Sequence, residues 1–252
     1  MLIDLDPAAI RAATAGGLFL IAWALGIWTP VAITRLLARR DTPFARRMLA
    51  SPGWRYLGRI AALALSLGAL YIALTEGYLD AYVTGLWLPR WQELSAWLPA
   101  VSGISALWSA LLWGIYWGRI PYREDHSPWH AYGTPLGTPA HVLHLEVQAS
   151  ILRGALIPFL GVYWGPWAAA GIRAAMALLN PAVRRGLGHS QERAFLYLDL
   201  GADAMAAGCF VVSGNMWASL IARGCVHLGA GIVHRILLWR GRRASRLPAR
   251  IA

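Results

Sequence analysis

Seven apolar stretches, each bounded by Arg, Pro or Gly, constrain this chain more than any other feature. They run near Ala13 to Leu37, Ile60 to Tyr78, Trp97 to Trp117, His141 to Trp164, Trp167 to Leu179, Phe195 to Val212 and Asn215 to Trp239. A helix crossing the hydrocarbon core of a bilayer takes about 20 residues, so the pattern predicts an all-α, polytopic transmembrane bundle of about seven spans. Only 14% of the 252 residues are charged and 58% are apolar, whereas a soluble domain carries roughly 25% charged residues. One integral membrane domain is expected over 1–252. Within it, 1–140 hold three spans and an interfacial segment, 141–239 a four-helix core, and 240–252 a basic tail.

The cations set the expected orientation. All 23 basic residues are Arg, since the sequence contains no Lys, and this excludes a retinal-type Lys Schiff base. The most basic loop, with Arg35, Arg39, Arg40, Arg46, Arg47, Arg55 and Arg59, belongs in the cytoplasm by the positive-inside rule. Alternate loops then carry Arg119 and Arg123, next Arg184, Arg185 and Arg193, and last a tail with Arg240, Arg242, Arg243, Arg246 and Arg250. The segments placed outside hold only Arg11 and Arg90. An N-out, C-in protein of the bacterial inner membrane is expected. The net charge of +11 sits in short loops facing anionic lipid, so no nucleic-acid partner is expected.

Other features are weaker signals. Fourteen Trp suit an aromatic belt at the membrane surfaces, with a stacked pigment or quinone as the alternative. Ala81 to Leu98, with Trp87, Trp91 and Trp97 around Arg90 and Glu93, suggests a helix lying in the interface. Cys209 and Cys225 fall in different spans, which indicates neither a disulfide framework nor a zinc site. The acidic start MLIDLDPAAIRA lacks the basic region of a cleaved signal, so the first span is expected to be retained.

The last four spans carry six ionisable residues: Arg153, Arg173, Asp203 and Arg223 near the midplane, and Glu146 and Asp199 nearer the cytoplasmic face. Each costs at least about 2.5–3.5 kcal/mol to insert, so each is expected to face the bundle interior and meet a partner. Three acids against three bases suggest one charge-balanced network. It either holds the helices in register or lines a cavity open to the cytoplasm. His141 and His144 form an HxxH pair close to Glu146, a weak metal-binding pattern, and His227 shares a helix face with Arg223.

The segments EVQASILRGALIPFL from Glu146, GPW from Gly165, AMALLN ending at Asn180, and SGNMWASLIARGCVH from Ser213 to His227 resemble the CAAX protease and bacteriocin-processing (Abi) family of intramembrane proteins. The likeness covers about 90 residues. It implies a helical intramembrane core with the motifs EExxxR, FxxxH and a final His followed four residues on by Asn, and in active members glutamate-dependent cleavage. Arg153 with Gly154 matches the end of the first motif. The paired glutamates, however, fall on Gln148 and Ala149, the second motif's His on Asn180 or Pro181, and the last His and Asn on Arg223 and His227.

Gln148 cannot act as a general base. The resemblance therefore implies a non-proteolytic relative that binds a membrane-protein partner, a peptide or a lipidic ligand, with no cofactor. Two alternatives stay open. One is an endopeptidase with a relocated acid at Glu146, assisted by Arg153 and His227; the other is a transporter or proton relay built on Glu146, Asp199, Asp203 and His227. Gln148, Arg173, Asn180, Asp199, Asp203 and Arg223 are the expected polar network.

Overall fold

Every element of the computed structural model is helical among the described residues, which are 6–40, 42–86, 91–119, 137–188 and 190–244. In chain order these are α1 (Pro7–Arg40), α2 (Pro43–Ala50), α3 (Pro52–Thr75), α4 (Trp91–Arg119), α5 (Gly137–Leu179), α6 (Pro181–Gly186), α7 (Ser190–Ser213) and α8 (Met216–Ala244). Five stretches are long and apolar enough to cross a membrane: Pro7–Arg40, Leu94–Tyr116, Thr138–Leu179, Arg193–Ser213 and Met216–Val233. A shorter apolar stretch, Ile60–Thr75, lies in α3. Large apolar side chains such as Ile21, Leu25, Ile60, Leu107, Ile115 and Leu228 are exposed. Water would penalise that much exposed apolar area, whereas lipid accepts it.

Local signals explain where the helices begin and break. Asp6 accepts from the Ala8 amide at the head of α1. The Thr42 hydroxyl accepts from Ala45 ahead of α2, and Ser51 does the same for Gly53 ahead of α3. Pro follows each of these last two caps, where its missing N–H costs nothing. The second apolar run therefore starts its helix at Pro52, eight residues before the hydropathy pattern suggests.

The fourth and fifth runs form one element, α5, interrupted at Gly161, whose φ of 77° and ψ of 170° are not helical. Glycine tolerates that conformation, and Pro158 and Pro166 on either side weaken the helix around it. Residues Trp91 to Leu98, where the sequence suggested an interfacial helix, are the opening turns of α4. Residues 87–90, the loop with Arg123, and the tail beyond Ala244 lie outside the described residues.

The chain divides into two compact units. The first comprises Met1–Trp87 and Leu143–Ala169, and the second Leu88–Val142 and Ala170–Ala252. In the first, α1 packs along α3, and the middle of α5 closes on the turns that follow α3. There a Cβ on Gly154 would come within 2.9 Å of both the Leu79 and Thr84 side chains. The glycine after Arg153 is thus a close-approach position.

In the second unit α4, α7 and α8 pack around Trp113, Leu198, Val226 and the small residues Ala194, Ala202 and Ala230. Small side chains let these backbones approach, and side-chain donors exploit the proximity. The Ser109 hydroxyl donates to the Val226 carbonyl (2.8 Å), the Trp108 indole to the Gly201 carbonyl (3.2 Å), and the Ser219 hydroxyl to the Ala206 carbonyl (2.9 Å). These bonds tie α4 to α8, α4 to α7, and α8 to α7. Gly214, at φ 60°, turns the chain between α7 and α8. The Asn215 side chain then caps α8 by accepting from Trp217 at 2.7 Å.

Candidate functional site

The buried charges fall into two sets, one in each unit. In the first unit the Glu146 side chain is fully buried and is held by Arg153, itself 1% exposed. Seven residues separate them on one helix, which is two turns along the same face. The long guanidinium arm bridges that rise, with its Nη2 also donating to the Ser150 hydroxyl at 2.9 Å. The Arg–Glu contact is a charge-assisted hydrogen bond as well as an ion pair. Nearby on α5, the Gln148 Nε2 lies 3.0 Å from the His144 Nε2. Gln148 is thus paired with a histidine.

In the second unit Asp203 sits between two arginines. One carboxylate oxygen accepts from Arg223 Nη1 and the other from Arg173 Nε at 3.2 Å. All three side chains are buried, so one acid joins α5, α7 and α8. One turn earlier on α7, Asp199 Oδ1 lies 3.3 Å from His141 Nε2 and 3.5 Å from His227 Nε2. The two imidazoles meet edge to face, with centroids 5.5 Å apart. His227 is 3% exposed, while the side chains of Asp199 and His141 are 26% and 20% exposed. The histidine–aspartate group therefore reaches the surface, and the arginine–aspartate group beneath it does not.

The two groups share a register. Asp199 and Asp203 are four residues apart on α7, and His227 and Arg223 four apart on α8, so each pair lies on one helix face. Because the two helices run antiparallel, Asp199 meets His227 as Asp203 meets Arg223, forming two rungs of one ladder. Placed by its own contacts, His141 joins the upper rung, not its HxxH neighbour His144. Asn180 lies between α5 and α6, where its amide closes the last turn of α5 and its carbonyl accepts from Arg184. Neither Cys209 nor Cys225 is part of a disulfide.

Chemically, the Glu146–Arg153 pair is closed and the upper rung is open. A buried carboxylate gripped by a guanidinium is poorly placed to take a proton from water. Two imidazole nitrogens and a carboxylate oxygen directed at one point, by contrast, are a set of donors for a cation or a bridging proton. No family model, curated protein or solved structure matches this chain.

Proposed function

We infer that this is a multi-pass bacterial inner-membrane protein, built on a degenerate CAAX-protease-like scaffold, that binds a membrane-protein partner and does not cleave peptides. Support for its not cleaving comes from Glu146: the one acid near the family's glutamate positions is fully buried and engaged by Arg153 and hence is a structural element. The span count follows if α5 crosses twice about Gly161 and α3 crosses once. Added to the other four long apolar helices, these make seven. The Arg-rich ends of α1, α2 and α8 then face the cytoplasm, N-out and C-in.

Support for binding comes from the energetic cost of the polar interior. Ionisable residues inside a membrane are expensive, and their retention by default marks a functional interior. Here they are charge-paired within each unit, and in the second unit one edge, at Asp199 and His141, is partly exposed. Purification from native membranes in mild detergent tests this reading. The protein is expected to elute with a second membrane polypeptide at fixed stoichiometry through size exclusion. Elution as a lone monomer, with no co-purifying polypeptide, would contradict the binding half of the reading.

A further inference from the structure

We propose that His141, Asp199 and His227 form a binding site for a single first-row divalent transition-metal ion, of which zinc is the natural probe. The site shares the exposed edge at Asp199 and His141 with the partner-binding reading, and metal uptake by the purified chain is measured without any partner, so the two can fail separately. Its three residues come from α5, α7 and α8. They are separated by 58 residues between His141 and Asp199 and by 28 between Asp199 and His227, so only the fold brings them together.

The spacing of the donor atoms carries the inference. One ligand atom from each residue lies within 4.8 Å of the other two, and the two distances to Asp199 Oδ1 are 3.3 and 3.5 Å. Zinc bonds to imidazole nitrogen or carboxylate oxygen at about 2.0–2.2 Å, so two donors of a tetrahedral ion stand about 3.3–3.6 Å apart. The two separations from Asp199 are those of a tetrahedron edge, and the two imidazole donors lie within 4.8 Å of each other, so closing on an ion takes small side-chain adjustments. Three amino-acid ligands leave a fourth position, and the partial exposure of Asp199 and His141 puts it on the accessible side. Water or an anionic group would complete the coordination.

The burial and hydrogen bonding of His227 point the same way. His227 is 97% buried, and its Nε2 makes no hydrogen bond. A ring nitrogen buried without a hydrogen bond, 3.5 Å from a carboxylate oxygen, loses its interaction with water and is incompletely compensated. A cation at the centre of the three donors would satisfy it directly.

The donor set also selects the class of ion. Two nitrogens and one oxygen suit zinc, iron(II) or cobalt, whereas calcium and magnesium prefer all-oxygen coordination. The neighbouring rung supports the geometry: Asp203 pins Arg223 one turn from His227 on α8 and is itself one turn from Asp199 on α7. Ligand-bearing faces of both helices are thereby held in register. The two guanidinia against one carboxylate leave a positive charge next to the site, which favours hydroxide or a carboxylate over neutral water as the fourth ligand.

The test uses the full chain in detergent, purified without a polyhistidine tag and stripped with chelator. Titration with zinc alone is expected to show one ion bound per chain, and cobalt to give the intense visible absorption of four-coordinate nitrogen and oxygen ligation. His141→Ala, Asp199→Ala and His227→Ala are each expected to weaken zinc binding at least 100-fold, and His144→Ala to leave it unchanged. Where a ligand variant fails to fold, the wild-type cobalt spectrum decides. No stoichiometric zinc uptake, a six-coordinate cobalt spectrum, or binding that survives in all three folded variants would overturn the proposal.

Discussion

Replacing Asp203 with leucine is expected to destabilise the protein by about 3–5 kcal/mol, which is the cost of leaving buried charge without its counter-charge. Each oxygen of Asp203 serves a different arginine, and Arg173 and Arg223 are 7% and 1% exposed. Leucine fills the same space and takes away the carboxylate between them. Two like charges then face each other in a low-dielectric interior, where repulsion is weakly screened. The thermal midpoint of the detergent-solubilised variant should fall by several degrees or the variant should aggregate. The triple variant Asp203→Leu, Arg173→Met, Arg223→Met, which removes all three charges together, should recover most of the loss. Asp203→Leu with an unchanged midpoint would show that the trio carries no stability.

The Glu146–Arg153 pair is expected to behave in the same way within a single helix. Arg153→Met leaves a carboxylate with no exposed surface and no guanidinium, again at a cost of about 3–5 kcal/mol. Glu146→Leu leaves the converse, a guanidinium 1% exposed, at a comparable cost. The double variant should be close to wild type, because well-packed apolar side chains often replace a buried ion pair with little change. Thermal unfolding of the four proteins closes this double-mutant cycle, and strong coupling is the expected result. Additive losses would mean that the two side chains act separately and that Arg153 serves another group.

Much of this arrangement was legible in the sequence, and the rest was not for definite reasons. Apolar run length located every long helix, because the bilayer requirement acts on composition alone. Helix starts at Pro7 and Pro52 lay further out than hydropathy suggested, since capping by Asp6 and Ser51 depends on single polar side chains that an apolar window averages away. The break at Gly161 was read as two runs parted near Gly165, with Pro158 and Pro166 as cues but nothing to identify the residue with positive φ.

The burial of Glu146, Asp203 and three arginines was also legible, because their insertion cost demands partners, whereas Asp199 is partly exposed. Which acid meets which base was not, since that depends on the packing of helices distant in sequence. One part could have been read. Asp199 and Asp203, spaced as Arg223 and His227 are spaced, on helices joined by the short SGN turn, imply an antiparallel ladder. His141 had no such signal: its apparent partner was His144, three residues on, and its actual neighbours come from α7 and α8.

The proposal gives Glu146 a structural role in α5 and no role as a general base. The most direct measurement is cleavage of a lipid-modified or transmembrane peptide by the protein in liposomes, comparing wild type with Glu146→Gln. Neither protein is expected to cleave above the level of empty liposomes. Cleavage by wild type that Glu146→Gln abolishes, in a variant that remains folded, would contradict it.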